Sequence, residues 1–274
     1  MVEALLSVNH LRTALPERRG GRRRREVEYH EIVRGVSFHL QPGKVLGIIG
    51  ESGSGKSATC LSILRLFGQA TIQGSVQLAG TEITQLKEAE MRQIRGRQIG
   101  MILQNPASFF NPIASIGQQF VDTLQSHQSL TRSTARSIAT DHLAAVGLTG
   151  PQQLLQQFPF QLSGGMLQRV MIAIALALQP KVLIADEPTT ALDVITQMQI
   201  LQLLDRLQQQ THCAILLVTH DLGVIAQLAD DVAVMYNGEF VEQSPVAQLF
   251  DRPQHPYTRS LFAARLSHRR EGGR

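Results

Sequence analysis

The chain has 274 residues, of which 43% are hydrophobic and 18% are charged. This composition excludes a disordered or acidic solvating chain, and the length fits one large domain or two small ones. We expect no membrane-spanning helix, because no apolar run approaches about 18 residues, and no N-terminal signal segment. The cysteines, Cys60 and Cys213, provide neither a disulfide framework nor a CxxC metal site, which is typical of a reducing cytosol.

The net charge is +4, from 26 Lys and Arg against 22 Asp and Glu, and the basic excess lies in one arginine-rich segment, residues 18–25. Gly20-Gly21 interrupts this segment, and no aromatic residue follows it before Tyr29. We therefore interpret the segment as a solvated loop and expect no nucleic-acid partner.

The first chemical signal along the chain is a strand followed by a glycine-rich loop and a helix. Residues 44–49 are a short apolar run typical of a buried strand. The next eight residues fit G-x-x-x-x-G-K-[ST], in which glycines let backbone amides approach a phosphate at a helix N-terminus. This phosphate loop would place Lys56 on the β- and γ-phosphates of a nucleotide and the Ser57 hydroxyl on Mg²⁺. Its members are Gly50, Glu51, Ser52, Gly53, Ser54, Gly55, Lys56 and Ser57.

Residues 105–161 differ from the rest, being rich in Gln, Ser and Ala. Ile116, Phe120 and Leu124 recur at helical spacing, and Ile138 with residues 142–146 do so less regularly. We interpret this segment as a helical subdomain inserted into a core made of residues 1–104 and 162–250.

Two later apolar runs, residues 182–185 and 214–218, are also predicted to be buried strands, and both end in polar residues. Because ligands bind beyond the carboxyl ends of strands in open parallel sheets, we expect Asp186-Glu187, Thr219-His220 and the phosphate loop at one edge. Neighbouring carboxylates on a strand point in opposite directions. We therefore assign Asp186 to Mg²⁺, through water, and Glu187 to the general base of hydrolysis.

The remaining signals concern packing. Val194, Met198, Leu201 and Leu204 indicate a long amphipathic helix, and Asn237-Gly238 between two apolar runs predicts a hairpin. Residues 251–274, which contain two prolines and a basic end, are predicted to form a loosely held C-terminal tail.

These motifs occur in a recognisable order along the chain. After the phosphate loop come Gln104, Leu162-Ser163-Gly164-Gly165-Met166, Asp186-Glu187, Ala191-Leu192-Asp193 and His220. From about Leu5 to Thr258 the chain resembles the ATP-binding subunit of an ABC transporter. The resemblance implies an α/β fold with a P-loop (RecA-like) ABC ATPase core, a small antiparallel β subdomain and an inserted α-helical subdomain. It also implies an ATPase that uses ATP and Mg²⁺, in which two subunits enclose two ATP molecules.

The resemblance gives roles to residues that are otherwise unremarkable. Ser163, Gly164 and Gly165 would contact the γ-phosphate of ATP bound to the partner subunit. Gln104 would bind Mg²⁺ and sense the γ-phosphate, and His220 would hydrogen-bond that phosphate and hold the attacking water.

Two further positions follow from the same resemblance. Asp193 would communicate between the two ATP sites, and residues 105–110 would face a membrane subunit. The aromatic residue that stacks on adenine is replaced by Leu15, with Tyr29 as the alternative.

The cargo is predicted from the subfamily. Residues 104–112, 163–169 and 185–193, with His255-Pro256-Tyr257-Thr258, look like the bacterial peptide/nickel importer subfamily. The short tail without a cysteine cluster, Asn105 and Leu167 resemble the nickel-type first ATPase subunit. We therefore expect import of nickel or another chelated transition metal, with di- or oligopeptides as the alternative.

The subfamily also predicts partners and location. We expect a second, distinct ATP-binding subunit, two transmembrane permease subunits and an extracytoplasmic substrate-binding protein, with a homodimer left open. The chain would lie at the cytoplasmic face of the bacterial inner membrane. Its nine histidines are scattered, so we expect no transition-metal site in this subunit.

Two other classes of protein fit the sequence less well. A soluble ABC ATPase that acts on ribosomes or DNA would carry two cassettes or a long coiled-coil insertion. A P-loop kinase or switch GTPase would share the phosphate loop but would have no use for Ser163-Gly164-Gly165 and His220.

Overall fold

The computed structural model describes residues 4–19, 26–190 and 192–271. The strands are β1 (Leu6–Arg19), β2 (Glu26–Leu40), β3 (Val45–Ile49), β4 (Thr71–Leu78), β5 (Thr81–Glu82), β6 (Ile99–Ile102), β7 (Val182–Asp186), β8 (Ala214–Val218), β9 (Asp231–Tyr236) and β10 (Glu239–Pro245). The helices are α1 (Lys56–Ile63), α2 (Glu88–Ile94), α3 (Pro106–Phe109), α4 (Ile116–His127), α5 (Arg132–Ala145), α6 (Pro151–Leu154), α7 (Gly164–Ala177), α8 (Val194–Thr211), α9 (Leu222–Leu228), α10 (Val246–Asp251) and α11 (Pro256–Glu271), with a 3-10 turn at Pro159–Gln161.

The chain divides into two compact units. The first comprises Met1–Lys87 and Leu216–Arg274, and the second comprises Glu88–Ile215. The arginine-rich segment was predicted to be a loop, but Arg18 and Arg19 are the last residues of β1 and pair with β2, whereas residues 20–25 lie outside the described residues. No helix within the described ranges is long and apolar enough to cross a bilayer.

The first unit contains an antiparallel sheet with the order β2-β1-β4-β5. Along β1, Leu6, Val8, Leu11 and Thr13 are fully buried and the residues between them are more exposed, except at an irregularity in the pairing near residues 9–11. This alternation gives the sheet one core face, because successive side chains of a strand point to opposite sides. That face packs on α1, where Thr13 Oγ1 and Ser62 Oγ lie 2.6 Å apart.

The first unit also holds the strand that precedes the phosphate loop. All five residues of β3 are buried, and β3 pairs in parallel with β9. β10 returns antiparallel to β9 through Asn237-Gly238, and both turn residues have positive φ, 47° and 86°. This backbone is typical of a type I′ hairpin and confirms the hairpin predicted from the sequence.

The second unit contains β6 and β7, paired in parallel from Ile99↔Val182 to Ile102↔Ala185. α7 is apolar on nearly all sides and buries Val170 to Ile174, as expected for a helix at the centre of a core. In α5 the buried residues are Ala135, Ala139 and Leu143, whereas the predicted Ile138 is only half-buried. Small side chains on this face allow close packing against α4 and α7.

Two packing predictions differ from the structure. In α8, Leu201 and Leu204 are buried as predicted, but Val194 and Met198 in the first turns are 73% and 53% exposed. Near the C-terminus, α11 buries Leu261 and Phe262, so the first part of the predicted tail is anchored to the first unit.

Candidate functional site

The phosphate loop connects β3 to α1 and wraps around the Lys56 side chain. The Lys56 ammonium is buried and donates hydrogen bonds to Gly50 O (3.0 Å) and Glu51 O (2.7 Å). At Gly55 φ is 108°, and an added Cβ would lie 2.8 Å from Met235 Cε and 2.9 Å from Ile32 O. A side chain is therefore excluded at Gly55 both by the backbone conformation and by space.

The same loop has features that fit a bound phosphate. A Cβ added at Gly53 would meet no atom within 4 Å, and residues 51–53 are exposed, so their backbone is open to a ligand. Ser54 Oγ is buried and has no hydrogen-bond partner among the described residues. Because buried hydroxyls are nearly always hydrogen-bonded, this oxygen is suited to a ligand oxygen. With the Lys56 charge and the α1 N-terminus, the loop fits a nucleotide phosphate.

His220 lies beside the loop in the first unit. Thr219 N–H donates to Ile48 O (3.2 Å), which brings the end of β8 next to the end of β3. Thr219 is buried and its Oγ1 accepts from Asp221 N–H (3.1 Å), while the His220 side chain is exposed. The chain thus carries an accessible imidazole at the same strand edge as the loop, where ligands bind in such sheets.

The second unit holds the two carboxylates. Asp186 is the last residue of β7 and Glu187 follows it, and both are buried, at 5% and 8% exposure. Glu187 has φ 49°, an uncommon conformation for a residue with a side chain. Thr190 Oγ1 donates a 2.8 Å hydrogen bond to Glu187 Oε2. A strained backbone around a buried, oriented carboxylate is typical of a functional site.

Gln104 lies at the same end of the second unit's strands as these carboxylates. It follows β6, whose last residue pair with β7 is Ile102↔Ala185, and its side chain is exposed. Gln104 and Asp186 present oxygen atoms, which are the ligands that Mg²⁺ prefers. The Ser57 hydroxyl, which is half-buried in the first unit, is an oxygen donor of that unit. No cluster of three or more His, Cys, Asp or Glu suited to a metal ion occurs in the part of the chain that the structure describes.

Ser163, Gly164 and Gly165 form the N-terminus of α7. Ser163 caps the helix by accepting a hydrogen bond from Met166 N–H (3.3 Å). Ser163 and Gly164 are exposed, and a Cβ added at Gly164 would meet nothing within 4 Å. A Cβ added at Gly165 would instead lie 2.7 Å from Thr196 Cγ2. The exposed end of α7 therefore presents free space and unsatisfied amides to an anion.

Asp193 lies close to this helix end through Thr196. Asp193 caps α8 by accepting from Thr196 N–H (2.9 Å) and Thr196 Oγ1 (2.6 Å). The side-chain bond from Thr196, with that residue's backbone bond, lowers the pKa of Asp193, so the carboxylate is charged at neutral pH. The sequence motifs did not identify Thr190 and Thr196. Each lies three residues after an acidic residue, Glu187 or Asp193, and at this spacing the threonine hydroxyl can hydrogen-bond to the carboxylate.

The structure thus groups the predicted residues by unit. The first unit holds the phosphate loop and His220, and the second holds Gln104, Asp186, Glu187 and the α7 N-terminus.

Comparisons with known proteins agree on one family. Residues 33–190 match the family described as "ABC transporter". The chain is 46% identical over 237 residues to the oligopeptide transport ATP-binding protein OppD of Bacillus subtilis (strain 168), covering 85% of this chain and 66% of that one. It is 44% identical over 266 residues to AppD of the same organism, an oligopeptide transport ATP-binding protein, covering 96% and 79%.

A third relative, the glutathione import ATP-binding protein GsiA of Escherichia coli (strain K12), is 48% identical over 240 residues, which cover 85% of this chain and 38% of that one. The chain therefore spans about two thirds of OppD and two fifths of GsiA.

Solved structures match over most of the chain. The ATP-binding cassette MJ0796, in a dimeric post-hydrolysis state bound to ADP and Pi, gives a TM-score of 0.75 at 27% identity and covers 88% of this chain and 98% of that one. CbiO1 from Clostridium perfringens, part of the complex cbiONQ, gives 0.73 at 24% identity and covers 98% and 99%. These matches confirm the fold class that the motifs implied.

Proposed function

Because this chain belongs to the ABC transporter family and has the α/β ABC ATPase cassette fold, we propose that it hydrolyses ATP to energise a peptide importer. The observation that carries the ATPase proposal is the phosphate loop, with its buried Lys56 and a Ser54 hydroxyl that has no hydrogen-bond partner within residues 4–19, 26–190 and 192–271. The peptide cargo is supported by relatives described as oligopeptide and glutathione transport proteins. Those relatives favour the peptide alternative over nickel, which stays a prediction from Asn105, Leu167 and the tail.

In this proposal the first unit holds the nucleotide. Backbone amides of the loop and the Ser54 hydroxyl bind phosphate oxygens, and the Lys56 ammonium moves from Gly50 O and Glu51 O to the β- and γ-phosphates. His220, exposed at the end of β8, donates to the γ-phosphate and orients the attacking water.

The second unit supplies the base. Glu187 accepts a proton from the water. As it does so, the water oxygen attacks the γ-phosphorus, and the bond between that phosphorus and the oxygen of the leaving ADP breaks. Thr190 fixes the carboxylate by its hydrogen bond to Oε2, so that the other oxygen can be directed at the water. The strained backbone of Glu187 aims the side chain in the same way.

The oxygens of Ser57 and Gln104, and Asp186 through water, would hold Mg²⁺. When bound, this ion would neutralise charge on the phosphates.

We place the second ATP-binding subunit, a related but distinct chain, against the α7 N-terminus and α8. Ser163, Gly164 and Gly165 would contact the γ-phosphate held by that subunit. The proposal is supported by the exposed first turns of α8, where Val194, Ile195 and Met198 are 73%, 70% and 53% exposed. Exposed apolar residues that adjoin one another mark an interaction surface.

A second apolar patch supports docking to the permease subunits. Phe109 and Ile113 are exposed on one segment, and Phe158 and Phe160 on another. The segments are neighbours, because Ile116 N–H donates to Gln157 O (2.8 Å). We propose that this patch binds one of the two transmembrane permease subunits, which receive cargo from an extracytoplasmic binding protein. The chain would then lie at the cytoplasmic face of the inner membrane.

The division of labour along the chain is part of the same proposal. Residues 1–104 and 162–250 would form the ATPase core with its β subdomain, residues 105–161 the helical subdomain, and residues 251–274 the C-terminal tail.

Leu15 and Tyr29 remain the two candidates for the adenine contact, and they lie on opposite faces of the β1-β2 ribbon. Leu15 pairs with His30, and Tyr29 pairs with Pro16. Residues two apart on a strand share a face, so Leu15 lies on the same face of β1 as Thr13, which contacts α1. We propose Leu15 for the adenine contact. Leu15→Ala should weaken ATP binding more than Tyr29→Ala, and the reverse order would assign Tyr29.

Two variants test the ATPase proposal. Lys56→Ala should lose ATP binding, because no other side chain of the loop carries its charge. Glu187→Gln should bind ATP normally and lose hydrolysis, whereas Glu90→Gln, on the exposed face of α2, should match the parent. ATP binding by calorimetry and phosphate release by the assembled transporter measure the two effects. Parental hydrolysis in Glu187→Gln would remove the general base from the proposal.

A further inference from the structure

A C-terminal side chain touches the phosphate loop within the first unit. Tyr257, in the first turn of α11, accepts a hydrogen bond at Oη from Glu51 N–H (3.2 Å). We propose that Tyr257 is a positioning residue that fixes the Gly50–Glu51 peptide and, through it, Lys56. This inference rests on the proposed assignment of the loop to ATP phosphates.

One peptide plane links Tyr257 to Lys56. Gly50 C=O and Glu51 N–H belong to the same planar peptide unit, so neither can turn without the other. Gly50 O accepts a hydrogen bond from Lys56 Nζ (3.0 Å), and Glu51 N–H donates to Tyr257 Oη (3.2 Å). Tyr257 and Lys56 therefore hold opposite ends of one rigid unit. Loss of the hydroxyl would free that unit to rotate and would release a carbonyl that orients the ammonium.

The position of the hydroxyl is itself well determined. The Tyr257 ring packs on Tyr236, with ring centroids 4.2 Å apart and planes at 36°. Tyr257 N–H donates to His255 Nδ1 (3.2 Å). Glu242 on β10 accepts from Gln254 N–H (2.8 Å) and His255 N–H (2.9 Å), which fixes the chain just before α11. Each of these contacts limits the freedom of the tyrosine, so the hydroxyl is pre-organised toward the loop.

A second backbone contact holds the loop at Ser54. At Ser54 the backbone is held by Gly238 N–H, which donates to Ser54 O (2.9 Å). Residues 51–53, which precede Ser54, are exposed. Tyr257 thus acts where the loop becomes exposed, at Glu51.

The test compares two conservative variants of the full chain. Tyr257→Phe removes one oxygen and keeps the ring on Tyr236. The matched control, Tyr236→Phe, keeps the same ring pair and leaves the Tyr257–Glu51 hydrogen bond in place. ADP and ATP affinities by calorimetry, KM and kcat for ATP in the assembled transporter, and the melting temperature are measured for both.

We expect Tyr257→Phe to weaken nucleotide binding and raise KM by about two- to tenfold, the effect of one typical hydrogen bond, while Tyr236→Phe stays at the parental values. A merely structural role would lower the melting temperature and leave the KM of the folded protein unchanged.

Lys56→Ala separates the two levels of the argument. If Lys56→Ala loses ATP binding but the two tyrosine variants bind equally, the positioning role is wrong and the loop assignment stands. If Lys56→Ala binds ATP like the parent, the loop assignment itself is wrong.

Discussion

The two glycines of the α7 N-terminus should respond in opposite ways to the same substitution. In Gly165→Ala the new Cβ would lie 2.7 Å from Thr196 Cγ2, whereas in Gly164→Ala it would enter open space. Thr196 cannot easily move away, because β-branched side chains have few χ1 rotamers and its backbone and hydroxyl are both bonded to Asp193. The clash therefore disturbs the cap of α8.

The sizes of the individual free-energy contributions decide whether each variant is stabilised or destabilised. Alanine is favoured over glycine in a helix by about 1 kcal/mol, a gain available to both variants. In Gly165→Ala overpacking costs about 1–3 kcal/mol, and loss of the Asp193 cap about 1 kcal/mol more. We expect Gly165→Ala to be destabilised by about 1–3 kcal/mol and Gly164→Ala to be neutral or stabilised by up to about 1 kcal/mol.

Urea denaturation followed by circular dichroism measures both free energies of unfolding. A Gly165→Ala protein as stable as Gly164→Ala would refute the steric argument. ATPase activity adds a separate readout, because the Gly164 Cβ would occupy the space proposed for the partner's γ-phosphate. Gly164→Ala should therefore keep its stability and lose activity in the transporter.

Three other predictions follow from individual contacts. Ser62→Ala removes the partner of the buried Thr13 hydroxyl and should lower the free energy of unfolding in urea by about 1–3 kcal/mol. Thr13→Val should destabilise the Ser62→Ala variant less than it destabilises the parent. Strictly additive losses in the double variant would contradict the pairing. Burial would raise the pKa of Glu242, but hydrogen bonds, first from the backbone before α11, hold it below the ordinary 4.5. The Glu242 carboxylate thus stabilises the folded protein above pH 4.5, and this stabilisation is lost as the pH falls through the lower folded pKa. Glu242→Gln should therefore have a lower melting temperature than the parent at neutral pH and approach the parental value in acid. A difference in melting temperature that does not change with pH would contradict this. Burial raises the pKa of Cys213 to about 12, so peptide mapping should find this thiol unlabelled by maleimide in the native protein and labelled in urea; rapid native labelling would contradict its burial.

Much of the site was predictable because its signals are local. The phosphate loop needs glycines at fixed spacing, and the strands that lead to Asp186 and to Thr219 are continuous apolar runs. Each signal depends on neighbouring residues only, so it can be read without knowing the fold. The hairpin at Asn237-Gly238 was predictable for the same reason, since its turn chemistry lies in two residues.

Contacts between distant segments were not predictable in this way. Tyr257 meets Glu51 across 206 positions, and no local pattern marks either residue for the other. The positive φ of Glu187 leaves no trace in the sequence, because a glutamate favours ordinary backbone conformations.

Packing faces were also only partly predictable. The periodicity of α8 predicts that Val194 is buried, but a helix can present an apolar turn to a partner instead of its own core. In α5 the spacing of large apolar residues predicts that Ile138 is buried, whereas the helix packs closely through the small residues Ala135 and Ala139.

If ATP hydrolysis by this chain energises peptide import, uptake assays in the source organism should detect the dependence. Cells carrying the parent, Glu187→Gln or the control Glu90→Gln on the chromosome are given a labelled oligopeptide and, separately, radiolabelled nickel. We expect Glu187→Gln to lose peptide uptake while nickel uptake stays at the parental level and Glu90→Gln matches the parent in both. Loss of nickel uptake with intact peptide uptake would contradict the peptide assignment, and parental uptake of both would contradict the role of this ATPase in either.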